Sequence, residues 1–338
     1  PSRDGWTWWF PCNRVCVIYA VHASEPNPGQ WRNVKYNLCI EPCRDSRFAA
    51  GGRSCEPGLF GQPAPSAAPG RSSTTALFNA MTTTPASSTE WLNATAELTI
   101  AGQKVRLEMP VPAGPARLAE LLPLFRSLTD AFVEVSVTNA RAEGLEVSCK
   151  KGCGACCRQL VPIAEIEARR LQEVVEAMPE PRRSTIRARF EVARQHLAEA
   201  GLLEKLREPR QFQDEEVIPF GIDYFRLGIA CPFLEEESCS IYAERPLACR
   251  EYLVVTPAEH CAAPTVESVS CVKLVLRTAR TIRGLNVEHS EYGAPWVALI
   301  LALEWAEAHP DGSSPQPGPA WVRETFSRLT GRVVPEAG

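Results

Sequence analysis

Nine residues set the terms for this chain: Cys149-Lys-Lys-Gly-Cys153-Gly-Ala-Cys156-Cys157. Gly152 and Gly154 flank the second thiol and let the backbone turn tightly, so that several sulfurs can point at one spot. Thiolates so placed are ligands for zinc or an iron–sulfur cluster, and oxygen-loving metals would not choose them. The adjacent pair adds a constraint. Neighbouring side chains oppose in a strand and diverge by about 100° in a helix. Cys156 and Cys157 are therefore expected to face different partners, one in the main site and the other toward a second metal, a second iron or the core.

The chain has 338 residues and fourteen cysteines, nine of them between Cys149 and Cys271. In a short secreted chain such a count would suggest disulfides; tight grouping in a chain of this length favours metal. Hydrophobic residues make up 45% and charged residues 22%, as in an ordinary globular protein, and a net charge of −4 points to neither a nucleic-acid groove nor an anionic-membrane anchor. The longest apolar run, Ala294 to Trp305, is about twelve residues against the ~20 a bilayer needs. Near the start, Val15-Cys-Val-Ile-Tyr-Ala-Val21 is broken by Pro11, Asn13 and Arg14 on its upstream side, so it is not read as a signal peptide. The expected location is cytoplasmic.

Residues 1–90 read as a disordered extension and linker, with a mis-set start before Met81, the first methionine. Cys12/Cys16, Cys39/Cys43 and Cys55 there read as unpaired cysteines rather than a zinc site, since nothing around them supplies a core. Residues 91–147 predict a β-hairpin, with Ala94–Ile100 and Val105–Met109 alternating about a turn at 101–104, then a helix over 116–142 interrupted by Pro123. Residues 148–275 hold the cysteine cluster, and 276–338 predict C-terminal helices. Within the cluster region, helices are expected up to Pro179 and over 183–208. Residues 212–262, rich in Pro and Gly, read as non-helical and in need of another source of order, which a bound metal would supply. Further helices are expected over 272–283, 294–309 and 321–329. The fold class is mainly α with a small N-terminal β-hairpin, its helices arranged around an irregular, metal-organised cysteine core.

A second group reads Cys231-Pro-Phe-Leu, then Cys239-Ser-Ile-Tyr242, then Arg245-Pro-Leu-Ala-Cys249-Arg250-Glu-Tyr252. Arg245 and Arg250 are candidates for groups around the cofactor, because arginine beside anionic sulfur offsets charge and can donate hydrogen bonds. In this order the blocks resemble the YkgJ-type cysteine-cluster proteins, a family named for a CxxCxxCC motif and for zinc or iron chelation. The resemblance covers about Ser148 to Cys271. It implies a ligand set of Cys149, Cys153, Cys156, Cys157, Cys231, Cys239 and Cys249, with Cys261 and Cys271 as additional ligands. Three residues separate Cys149 from Cys153 where the family name has two, which makes Cys149 the least secure of the first group. His260 reads as an exposed loop histidine beside Cys261, and His196 as a solvent-edge helix residue.

The leading reading is a metal-binding protein in redox, electron-transfer or metal-handling work, with an iron–sulfur cluster, [4Fe-4S], preferred and zinc the alternative. Its partners would be the metal and a protein redox partner or substrate protein. One competing class is an enzyme using an Fe–S cluster: an oxidoreductase, a radical S-adenosylmethionine-like enzyme by the Cys149-x3-Cys153-x2-Cys156 spacing, or a lysine methylase by the resemblance. Against the second, Ala155 stands where an aromatic is expected, and alternating strands and helices are missing from the pattern. The other class is a structural zinc module within a helical interaction protein.

Overall fold

Alternating apolar residues make the first core face. The computed structural model describes residues 15–23, 33–42, 91–100, 103–212, 214–265, 267–331 and 333–334. Strand β1 is Val15–Ala23, β2 Asn33–Pro42, β3 Trp91–Ile100 and β4 Gln103–Pro112. β3 and β4 form the expected antiparallel hairpin, with Ala94 opposite Met109 and Leu98 opposite Val105. Leu92, Ala94, Ala96 and Leu98 recur at every second residue and are buried, as are Met109 and Val111. β1 pairs antiparallel with β2, and β2 runs parallel to β3, completing a four-stranded sheet. These two strands lie inside the segment read as extension and linker, where Val15–Val21 is dense in β-branched residues. Cys16 and Cys39 stand on them. Cys12, Cys43, Cys55 and Met81 lie outside the described residues.

The rest is mainly helical: α1 (Leu122–Ala142), α2 (Glu165–Glu176), α3 (Arg182–Glu199), α4 (Leu203–Arg207), α5 (Asp214–Arg226), α6 (Leu247–Glu251), α7 (Thr278–His289), α8 (Ala302–Ala308) and α9 (Gly318–Thr330). Phe125, Leu128 and Phe132 of α1 meet the β3–β4 face, Ile282 and Leu285 of α7, and Trp321 and Phe326 of α9 in one core. Trp321 Nε1 donates to the carbonyl of Ala116 at 2.8 Å, so the polar edge of this buried ring is satisfied. A second core joins Leu171 and Val175 of α2, Ile186 and Phe190 of α3, Leu303 of α8, and Phe233 and Ile241. Among the described residues no helix is long and apolar enough to cross a membrane.

Several elements depart from the sequence pattern, each for a local reason. Pro123 sits in the first turn of α1 and interrupts nothing, because a first-turn N–H has no helical partner to lose. The helix expected over 183–208 divides at Gly201, whose φ of +72° is left-handed. Residues 214–226 are helical despite Pro219, correcting the non-helical reading of 212–262. Phe220 and Tyr224 pack with Phe212 and Trp296, and that packing outweighs one lost helical bond. The helix expected from Val272 starts at Thr278, because Val272 donates its N–H to Leu253 at 2.8 Å and Leu274 is spent on a small core with Val255. Of 294–309 only α8 is an α-helix. Val297 pairs with Ile163 in a short antiparallel ladder, and a fully apolar run gives no periodicity by which to tell the two apart.

Buried carboxylates lock the short elements in place. Glu167 accepts the N–H of Ala164 at 2.9 Å and that of Leu247 at 2.7 Å, so α2 holds the first residue of α6, two before Cys249. Glu251, at the other end of α6, accepts the N–H of Ala279 near the start of α7 at 2.8 Å. Burial pushes the Glu251 carboxyl up to about 7.

Glu167→Ala leaves two buried N–H groups without acceptors and is expected to cost about 2–4 kcal/mol in urea unfolding. Burial also holds the Glu167 carboxyl above its ordinary range. The folded state therefore keeps this proton where the unfolded chain has lost it. Stability conferred by the protonated group falls as pH rises from about 4.5 through the raised value, then levels. Urea midpoints of Glu167→Gln should be free of this slope, so the lead of the wild type over the variant should shrink across that window.

Candidate metal centre

The first cysteine run is shaped by its glycines. Gly152 has φ +86°, where a side chain would be strained, and closes a turn in which Cys153 donates its N–H to Lys150 at 3.1 Å. Residues Ala155–Arg158 then form a single 3-10 turn carrying Cys156 and Cys157. A Cβ at Gly154 would stand 2.7 Å from Leu234 Cδ1 and 3.0 Å from Glu237 Cα. The cysteine turn thus rests directly on the second cysteine segment.

That segment is a miniature hairpin, Leu234–Glu235 against Ser238–Cys239, with Leu234 opposite Cys239. Glu236 and Glu237 at its tip have φ of +47° and +54°, as a two-residue type I′ turn requires. Arg158 grips Glu237 at 2.7 Å, and Cys231 donates its N–H to the carbonyl of Cys157 at 2.7 Å. Cys231, Cys239 and, from α6, Cys249 all lie against the second core.

The remaining thiols arrive from another direction. Ser148 donates its N–H to Val254 at 2.8 Å, and Val254 forms an antiparallel bridge with Cys271. The Val254 N–H in turn points at Cys149 Sγ, 3.3 Å away. Cys261 lies in the 3-10 segment Ala258–Ala262, which packs on the 155–158 turn. Tyr252 donates to Cys271 and accepts from Gln159 at 3.0 Å.

All nine cysteines from Cys149 to Cys271 are free thiols, and their neighbourhoods interlock. Cys249 feels Cys231, Cys156 and Cys239; Cys261 feels Cys149, Cys153 and Cys156. Burial pushes the Cys231 thiol up to about 12 and that of Cys271 to about 11, and it raises Cys149, Cys239, Cys249 and Cys261 as well. Cys156 is raised most of all by a hydrogen bond with Cys157, then by burial. The adjacent pair therefore does not part completely: the two sulfurs share a hydrogen bond, while Cys156 alone of the two is felt by the later cysteines.

The two arginines separate in role. Arg245 is the cation that offsets charge at Cys149, Cys156, Cys239 and Cys249, and its guanidinium lies 3.9 Å over the Tyr242 ring. Its Nε is buried with no hydrogen-bond partner among the described residues, and so is the hydroxyl of Ser240, next to Cys239. Arg250 is spent elsewhere, on Asp130 at 2.8 Å and on the carbonyls of Arg245 and Ala243, so it holds the α6 loop to α1. His260 is exposed and bonds the carbonyl of Ser268 at 2.8 Å, and His196 is exposed on α3.

Do these residues fit a metal? Among the described residues no three His, Cys, Asp or Glu side chains are gathered into a ready single-ion site. The donor chemistry nonetheless fits a soft metal centre: half-buried thiols without disulfides, beside a cation and two donors that have no hydrogen-bond partner among the described residues. Tyr252, Gln159, Ser240 and Glu167 support the site and were not singled out from sequence. Tyr252 and Ser240 stood in quoted cysteine blocks; Gln159 and Glu167 become neighbours only through the fold. An open cleft of about 660 Å³ adjoins the site, lined by Ala155, Arg158, Phe225, Glu237 and Ala262.

Residues 148–271 match the CxxCxxCC family model, described as "Putative zinc- or iron-chelating domain". That span holds all nine clustered cysteines and both arginines. Comparison with curated proteins and with solved structures found no match.

A methyl in Gly154→Ala would collide with the Glu237 and Leu234 side chains and press on the Glu237 backbone, loosening the cysteine turn's seat on the hairpin. The expected cost is about 1–3 kcal/mol in chemical unfolding, with less metal retained per chain after gel filtration. Glu236→Asn should act oppositely and raise the unfolding midpoint, because Asn tolerates the left-handed backbone better than Glu.

Proposed function

We propose that residues 148–271 hold a thiolate-ligated metal centre, an iron–sulfur cluster in preference to zinc, and that this centre ties the 149–157 turn to the 231–249 segment. The observation that carries the reading is the convergence of thiols from both segments on Arg245, whose Nε has no hydrogen-bond partner among the described residues. A buried guanidinium N–H left unpaired costs free energy. An anionic sulfur centre would accept from it and take up its charge.

When bound, a cluster of this kind supplies one-electron redox chemistry. The chain's own residues do the rest. Cys231, Cys239, Cys249 and Cys156 present thiols from a surface closed on one side by the second core. Arg245 offsets their charge, and Tyr252 donates to Cys271. The cleft along Ala155 and Arg158 gives a partner molecule an approach to the outer face of the cysteine turn.

Iron, zinc and acid-labile sulfide in anaerobically purified protein test this reading together with the visible spectrum. The expected result is a brown protein with iron and sulfide in equal amounts and absorbance near 400 nm that bleaches with dithionite. A colourless protein retaining zinc would favour the structural-zinc reading, and a metal-free protein would remove both. Arg245→Leu should keep the metal but lower the reduction potential on the order of 60 mV, a tenfold one-electron effect, with Arg245→Lys between the two.

A further inference from the structure

We propose that Arg280 and Arg283, in the first half of α7 with Arg277 beside them, form a binding site for the phosphate group of a small molecule. The site lies outside the cysteine runs and does not depend on a bound metal centre.

The charges of α7 run against the helix itself. A helix is stabilised by anions at its N-terminal end and by cations at its C-terminal end. Arg277 is the N-cap of α7, the first turn holds no acidic residue, and Arg280 and Arg283 follow at three-residue steps. Side chains three apart on a helix are neighbours, so these cations stand beside one another. The acid of α7, Glu288, is at the far end and is taken by Arg328 of α9. Arg280 is exposed, while Arg277 and Arg283 are half-buried, where poorer solvation makes the crowding of like charges costlier.

Counter-charge from within the chain is incomplete. Arg277 and Arg283 feel Glu251, and Arg283 also feels Glu167. Both carboxylates are committed to backbone: Glu251 to the N–H of Ala279, Glu167 to those of Ala164 and Leu247. Among the described residues neither forms an ion pair with Arg280 or Arg283. Arg283 Nη1 donates to the carbonyl of Pro162 at 3.0 Å, and Arg280 has no hydrogen bond or ion pair among the described residues. Thr278, between Arg277 and Arg280, is fully buried, and its hydroxyl has no hydrogen-bond partner among the described residues either. Because Glu251 already serves the helix start, guanidiniums rather than helix amides would hold the anion. That selects its chemistry. One carboxylate fills one guanidinium fork, whereas a tetrahedral phosphate offers oxygens to two at once.

Calorimetric titration of the full chain with inorganic pyrophosphate, and separately with ADP, tests the site. The wild type should bind pyrophosphate, and Arg280→Ala and Arg283→Ala should each weaken binding about tenfold or more, as expected for a lost charge-assisted contact. Arg280→Lys keeps the charge but loses the fork, and should fall between. Arg226→Ala, which removes an exposed cation from α5, should bind as the wild type does. Because Arg280 is exposed, its replacement leaves the core intact. Pyrophosphate should therefore raise the unfolding temperature of the wild type and not that of Arg280→Ala. Binding of ADP with the same dependence on Arg280 would uphold the site for phosphate esters, and binding of pyrophosphate alone would uphold it for free phosphate. No binding by the wild type at millimolar pyrophosphate, unchanged binding in Arg280→Ala/Arg283→Ala, or equal weakening in Arg226→Ala would overturn the proposal.

Discussion

A guanidinium nitrogen buried with no hydrogen-bond partner among the described residues, beside thiols that burial makes harder to ionise, is the tension on which this structure turns. Arg245 meets no carboxylate there; its ring stacking on Tyr242 satisfies the face of the guanidinium but not its Nε. The sulfurs around it are half-buried and lie within reach of one another's charge. Each half is unfavourable in isolation. On the reading proposed above, a soft, charged group bound there would relieve both.

Much of the rest of the fold serves that place. The sheet, α1, α7 and α9 make a conventional core some distance along the chain, and α6 is pinned between it and α2 by two buried carboxylates, Glu167 and Glu251. That pinning sets where Cys249 stands. On the other side, glycine at 152 and 154 lets the first cysteine run fold back onto a hairpin whose tip adopts left-handed backbone at two glutamates. Strain at the tip is tolerable because the turn above it, Arg158 and the Cys231–Cys157 backbone bond hold it in place.

The sequence was most readable where chemistry and period coincide. Alternation announced the β3–β4 hairpin, the 3.6 period announced α1 and α2, and the cysteine blocks lie on segments that touch in the fold. It was least readable where tertiary contact decides. Pro219 argued against α5, yet Phe220 and Tyr224 pack too well for it to prevail. Val272 to Arg277 read as helix because their apolar spacing is helical, but their backbone is committed to Leu253 and Val255. Arg245 and Arg250 looked equivalent from composition. Only the fold shows Arg250 taken up by Asp130 and two carbonyls, leaving Arg245 with the thiols. Glu167, eighty residues from its acceptor role at Leu247, carries no local signal at all.

The central claim is that one kind of bound centre, rather than protein contacts alone, orders both cysteine segments. Hydrogen exchange of the anaerobic protein before and after metal removal addresses it directly. The account predicts that residues 149–157 and 231–249 lose protection together while α3 and the β3–β4 hairpin keep theirs. Unchanged protection in both segments after complete removal of the metal would contradict it.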